Sequence, residues 1–149
     1  DRERAGQGLL RRPLGRRLMF IDASAIIAII GGDADGLSMA ARLAQARNVF
    51  VSPVAINDAV AGLARKRACP IKEAISLVDA FVEETVAQTM DITAAIGRDA
   101  IEAFGRYGKG RHPADLNMGD CFAYACAKSR QVPLLFKGNH FVHTDIEVG

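Results

Sequence analysis

Three aspartates and one polar pair have the types and positions from which hydrolytic chemistry can be built. Asp22 follows the apolar run Leu18–Ile21, and Asp58 falls in the second turn of a helix opened by Ser52 and Pro53. Asp120 comes near the start of a helix that begins at Asn117, and Asn139 and His140 follow the apolar stretch Pro133–Phe136. Side-chain oxygens gathered from distant parts of a chain are what a hard divalent cation, Mg2+ or Mn2+, requires. Without a cation such a cluster is costly, because each carboxylate raises the pKa of its neighbours. With one, the group suits metal-assisted phosphodiester hydrolysis, since the ion acidifies water and stabilises developing phosphate charge.

Each residue also has a plainer reading. Asp22 or Ser24 can simply cap the helix that follows, or Ser24 can hydrogen-bond Asp22 and orient it. Asp58 can be a solvated surface acid. Asp120 is favoured near a helix N-terminus by the macrodipole, and Asn117 can serve as its N-cap. His140 and His143 can be ordinary surface histidines.

The elements that must position these residues are legible in outline. Leu18–Ile21, Asn48–Val51 and Pro133–Phe136 read as short buried strands, with a further strand over Thr85–Met90. Helices are predicted over Ala23–Ile30, Asp35–Ala46, Pro53–Arg67, from Pro70 with Ile71, Ile75, Val78 and Val82 facing inward, over Thr93–Tyr107, and over Asn117–Arg130. The stretch from Gly108 to Pro113 breaks the pattern as a loop. Strands alternating with helices predict an α/β fold with a central parallel sheet covered on both faces. In such sheets ligands sit beyond the carboxyl ends of the strands, which is where the aspartates fall.

Composition narrows the class. The chain has 149 residues, half of them apolar and 24% charged, enough for a single domain with its own core. No apolar run reaches the roughly 18 residues of a membrane span. Cys69, Cys121 and Cys126 form no CxxC pair and no even framework, so reduced thiols in a cytoplasmic protein are expected. Residues 1–18 carry six arginines against Asp1 and Glu3, about +4, which leaves about −2 for the rest of a chain whose net charge is +2. That segment is read as a flexible basic leader, with an RNA-holding arm as its functional alternative, and residues 19–149 as the domain.

Longer motifs carry a resemblance. Met19 to Ser24 (MFIDAS), Tyr107 to Pro113 (YGKGRHP), Leu116 to Ala125 (LNMGDCFAYA) and Pro133 to Gly138 (PLLFKG), with Phe141 and Thr144 to Ile146, stand in the order seen in PIN-domain toxins of the VapC type. The resemblance spans residues 19–147. It implies a Rossmann-like three-layer α/β/α sandwich, and a Mg2+-dependent endoribonuclease in which Mn2+ can substitute. It also implies the toxin role in a type II toxin–antitoxin system. Carried over by position, Asp22 and Asp120 are metal ligands, Asp58 completes the catalytic set, and Ser24 and Asn117 support them.

The implied substrate is structured RNA, transfer or ribosomal, cut to leave a 5′-phosphate and a 3′-hydroxyl. The implied partners are a VapB-type antitoxin, whose tail plugs the acidic groove, and a second copy of the chain within a larger complex. DNA is reached only through the antitoxin, and no membrane is involved. Lys109, Arg111, His112 and Lys137 are candidates for binding RNA phosphates.

Two departures from the family pattern stand out. Asp58 occupies a place usually held by Glu, one methylene longer. Asn139 and His140 occupy a place where an acidic residue is usual, with Asp145 or Asp115 as candidates to make up the charge. These departures sustain an alternative: a weakened or inactive PIN-fold module that binds an antitoxin without cutting RNA. A phosphatase using Asp22 as nucleophile would need an acid where Ser24 stands, and no Walker-type phosphate loop is present.

Overall fold

The structure is a computed structural model describing residues 18–149. The expected leader therefore lies, for residues 1–17, outside the described residues, while Leu18 is already the first residue of a strand.

Four strands form one parallel sheet: β1 (Leu18–Ile21), β2 (Asn48–Val51), β3 (Gln88–Thr89) and β4 (Leu134–Leu135), in the order β3-β2-β1-β4. Six helices connect them: α1 (Ala23–Gly31), α2 (Gly36–Ala44), α3 (Pro53–Arg67), α4 (Ile71–Glu84), α5 (Ala94–Tyr107) and α6 (Met118–Arg130). A short 3-10 turn, Phe141–His143, follows β4. Beyond it the chain returns to pair Val148 with Leu134, an isolated parallel bridge on the free side of β4. The first four helices pack on one another and α5 packs on α6, the two groups that right-handed crossovers of this strand order set on opposite faces. The α/β expectation is met as a sheet covered on both faces.

Covered on both faces, β1, β2 and β4 are almost wholly apolar, whereas the edge strand β3 is polar and exposed. Met19, Phe20, Ile21, Val51, Leu134 and Leu135 are each at most 2% exposed. Full burial of side chains of this size contributes about 1.5–3 kcal/mol each. Ser52 caps α3 as its sequence position foretold: its Oγ accepts from the Ala55 amide at 3.1 Å, and Pro53 stands at the first helical position.

Two expectations need correction. On α4 the expected Val78 is buried and Val82 packs against the core, but Ala74 and Phe81 complete the inward face, whereas Ile71 and Ile75 are 55% and 43% exposed. Both faces fit a helical period, and close packing against the neighbouring helices selects the one bearing the small Ala74. The third strand is only Gln88–Thr89, because Thr85 ends α4 and its hydroxyl bonds back to the Phe81 carbonyl. Among the described residues no single helix is long and apolar enough to cross a membrane.

The chain runs outward from β1 to β3, then returns to lay β4 on the other side of β1. Asp22 stands at the carboxyl end of β1, beside that reversal, where parallel sheets open a crevice.

A candidate acidic active site

Asp22 is fixed from both sides. Its backbone amide donates to the Leu135 carbonyl at 2.9 Å, locking it between β1 and β4. Its Oδ2 accepts from the Ser24 amide at 3.0 Å and from the Ser24 hydroxyl at 2.5 Å. The capping role is thus real, and so is the orienting one. Ser24 Oγ also accepts from the Lys137 amide at 3.0 Å, joining the segment after β4 to the segment after β1. Both hydrogen bonds to the Asp22 side chain fall on Oδ2, which leaves Oδ1 without a donor among the described residues.

Asp120 is held by a reciprocal cap at the start of α6. The Asn117 Oδ1 accepts from the Asp120 amide at 2.8 Å, and Asp120 Oδ2 accepts from the Asn117 amide at 3.1 Å. His140 reaches in from the segment after β4, its Nδ1 lying 3.0 Å from the same Oδ2. Asp120 therefore has one oxygen engaged and one free, like Asp22. Asn117 and His140 both end up as supports of one carboxylate, while the Asn139 side chain is exposed and makes no hydrogen bond among the described residues.

Asp58 approaches from α3. A Cβ on Gly119 would collide with Asp58 Oδ2, so the carboxylate rests against the first turn of α6. The consequence of this convergence is electrostatic. Burial, and then the charges of Asp120 and Asp58, push Asp22 from an ordinary 3.8 to about 6, against the lowering effect of Ser24. Asp58 stays exposed to solvent, and partial desolvation and then the charge of Asp120 raise it, with Arg65 as its counterweight. Side chains from three distant segments thus share one field.

They do not close around a point: among the described residues no group of three His, Cys, Asp or Glu side chains is already arranged to hold an ion. The convergence is real in electrostatic terms and open in coordination terms. The donor set nonetheless suits a hard cation, since it is all oxygen, has free lone pairs and includes two carboxylates raised by their acidic neighbours.

The remaining candidates lie elsewhere. Asp145 accepts hydrogen bonds from the Tyr124 hydroxyl and from Lys128 Nζ at 3.1 Å, and these partners lower its pKa. Its charge is committed to that cluster along α6 and does not replace the missing fourth acid. Asp115, in a left-handed conformation (φ 54°), accepts from the Gly110 amide at 3.2 Å and serves to fold its loop.

Of the cations expected to hold RNA, Arg111 lies 5.6 Å from the Phe104 ring centroid, and His112 stacks edge-on against Tyr107 with its Nδ1 accepting from the Ala114 amide. Lys109 is exposed on the same loop. Only Lys137 stands at the acidic rim, where its ammonium pairs with Asp33 at 2.5 Å. Arg65 was missed, although its spacing of seven from Asp58 puts both on one face of α3.

Residues 19–147 match the family model described as the PIN domain. A VapC ribonuclease of Rhizobium meliloti (strain 1021) is 39% identical over 141 residues, which cover 87% of this chain and 99% of that protein. The chain belongs to the PIN-domain family, among the VapC ribonucleases. Ribonuclease VapC42 of Mycobacterium tuberculosis is 35% identical over 129 residues, covering 86% of this chain and 96% of its own length. In architecture the PIN fold is shared with the M. tuberculosis toxin VapC20, described as cleaving the sarcin–ricin loop. The two superpose with a TM-score of 0.68 at 20% identity, over 87% of this chain and 96% of that one. The acidic crevice of this PIN domain lies at the carboxyl edge of its sheet.

Proposed function

We propose that this PIN domain is the toxin of a type II toxin–antitoxin pair, an endoribonuclease that hydrolyses phosphodiester bonds in structured RNA with Mg2+, Mn2+ substituting. The observation that carries the reading is the meeting of Asp22, Asp58 and Asp120 in one field, where Asp22 is buried and raised to about 6 and the charges acting on it are those of two other acids. A divalent ion would relieve that repulsion. Asp22 and Asp120 would hold it directly through their free oxygens, and Asp58, shorter than Glu, through an intervening water. When bound, such an ion acidifies water and stabilises the charge of phosphoryl transfer.

The chain's own residues do the rest. Ser24 points the Asp22 carboxylate, while Asn117 and His140 hold one oxygen of Asp120 so that the other faces the crevice. Gly119 keeps Cβ bulk away from Asp58.

The substrate class is RNA with exposed loops, transfer or ribosomal, cut to a 5′-phosphate and a 3′-hydroxyl. A VapB-type antitoxin covers the crevice, a second copy of the chain completes a larger complex, and DNA is met through the antitoxin. The test is cleavage of structured RNA by wild type and Asp22→Asn, with Mg2+, with Mn2+ and with EDTA. Cutting by the wild type alone, lost in EDTA, is the expected result. Equal cutting by both proteins, or none by either while antitoxin still binds, leaves a binding module instead.

A further inference from the structure

An acidic crevice repels the polyanion it must cut, so some flank of it has to attract phosphate. The described part of the chain supplies no general excess of positive charge: residues 1–18 alone hold about +4 of a net +2. Among the described residues any such attraction has to be local, and the structure is asymmetric in this respect.

On the α5–α6 side, Arg111 lies over Phe104 and His112 is tied into its own loop. On the α3 side, cations gather. Arg65 leans back along α3 toward Asp58, with Nη2 4.0 Å from where a Gly62 Cβ would stand, and its charge lowers the Asp58 pKa. The guanidinium has no hydrogen bond or ion pair among the described residues. The following residue on α3, Lys66, shares one carboxylate, Asp33, with Lys137, whose backbone amide bonds Ser24 beside Asp22. Arg65 is thus coupled to Asp58, the two lysines converge on Asp33 with Asp35 adding to the field at Lys137, and the Lys137 backbone is one hydrogen bond from Ser24 beside Asp22.

We propose that Arg65, Lys66 and Lys137 form the track that holds the RNA phosphate backbone on one side of the bond to be cut. The two lysines, pre-ordered by Asp33, present fixed charge. Arg65, free and able to fork, grips a phosphate oxygen pair. Asp33 sets the spacing of the lysines without cancelling them. The proposal rests on the ribonuclease reading for its choice of ligand, but its test does not require cleavage.

The experiment measures binding of a fluorescent RNA hairpin in EDTA, from about 50 to 200 mM salt, for wild type, Arg65→Gln, the triple variant Arg65→Gln/Lys66→Gln/Lys137→Gln, and the control Lys109→Gln/Arg111→Gln. Each lost phosphate contact lowers the slope of log K against log salt by about 0.7–0.9. Arg65→Gln should lower it by about that amount and the triple variant by about two, with the control unchanged. Arg65 makes no hydrogen bond or ion pair among the described residues, so its single variant reports even if the triple variant is unstable. An unchanged slope for Arg65→Gln, or an equal fall in the control, overturns the track. Loss of binding to poly-glutamate with the RNA slope intact also overturns it and assigns the edge to an acidic protein segment. If the slope falls as expected while wild type with Mg2+ cuts no RNA, the track stands and the nuclease reading falls.

Discussion

Gly119 on α6 and Asp58 on α3 touch so closely that the glycine's missing side chain is what admits the carboxylate. The two helices meet there, and the contact brings Asp58 to the helix that carries Asp120, whose charge acts on it.

Replacing this glycine separates folding from function. Gly119→Ala favours helix by up to about 1 kcal/mol in α6, while its Cβ drives the Asp58 carboxylate aside. The unfolding midpoint should hold or rise. RNA cleavage should fall by about 10²-fold, the size of effect expected from a displacement of about 1 Å in a catalytic group. Thermal denaturation and cleavage rates on the same sample check both halves, and a fully active variant would show that Asp58 has no role.

Ser24 lowers the pKa of Asp22 through two hydrogen bonds. Ser24→Ala removes the hydroxyl bond and also frees the Lys137 amide. The Asp22 pKa should move up from about 6, shifting the acid limb of the pH–rate profile to higher pH. Activity lost at pH 6.5 should be largely regained at pH 8. A uniform loss at every pH would mean that the hydroxyl acts otherwise.

Asp22 also couples pH to stability. Its folded value, about 6, lies above the ordinary 3.8, so between these values the folded state binds more protons than the unfolded one. Stability of the metal-free chain must then fall as pH rises through that window, by about 3 kcal/mol for this group. In EDTA, wild type should melt at a higher temperature at pH 5 than Asp22→Asn predicts from its own profile, and at a lower one at pH 7.5. Millimolar Mg2+ or Mn2+ at pH 7.5 should return much of the difference, since a cation offsets the same repulsion. Parallel profiles for the two proteins would contradict the raised value.

His140 holds Asp120 where the family usually carries an acid. His140→Asp places a fourth carboxylate against Asp120, so the metal-free protein should lose stability, by about 1 kcal/mol or more. It should gain more from Mn2+ than wild type does. His140→Ala, which only releases Asp120, should weaken cleavage without that added response to metal. Melting with and without Mn2+ distinguishes the two.

The parts that were legible without coordinates are those governed by neighbours in the chain. β1 and β2 are unbroken apolar runs, Ser52-Pro53 is a local cap, and Asn117 with Asp120 is a reciprocal cap at a fixed spacing of three. The motifs around Asp22 and Asp120 carried the family in the same way. Less legible was any choice between two allowed faces, as in α4, where Ile71 and Ile75 point outward although they keep a helical period. Nor could spacing show that Asp145 is bound by Tyr124 and Lys128, or that Arg111 lies over Phe104.

The amino-acid order by itself therefore determined the alternation of strands and helices, their caps, and which residue types stood at strand ends, because these depend on interactions within a few residues. The tertiary structure alone decided which of those residues share a field. The charges of Asp120 and Asp58 raise Asp22, that of Asp120 raises Asp58, and Lys66 and Lys137 meet at Asp33, because charges act through space across gaps of tens of residues.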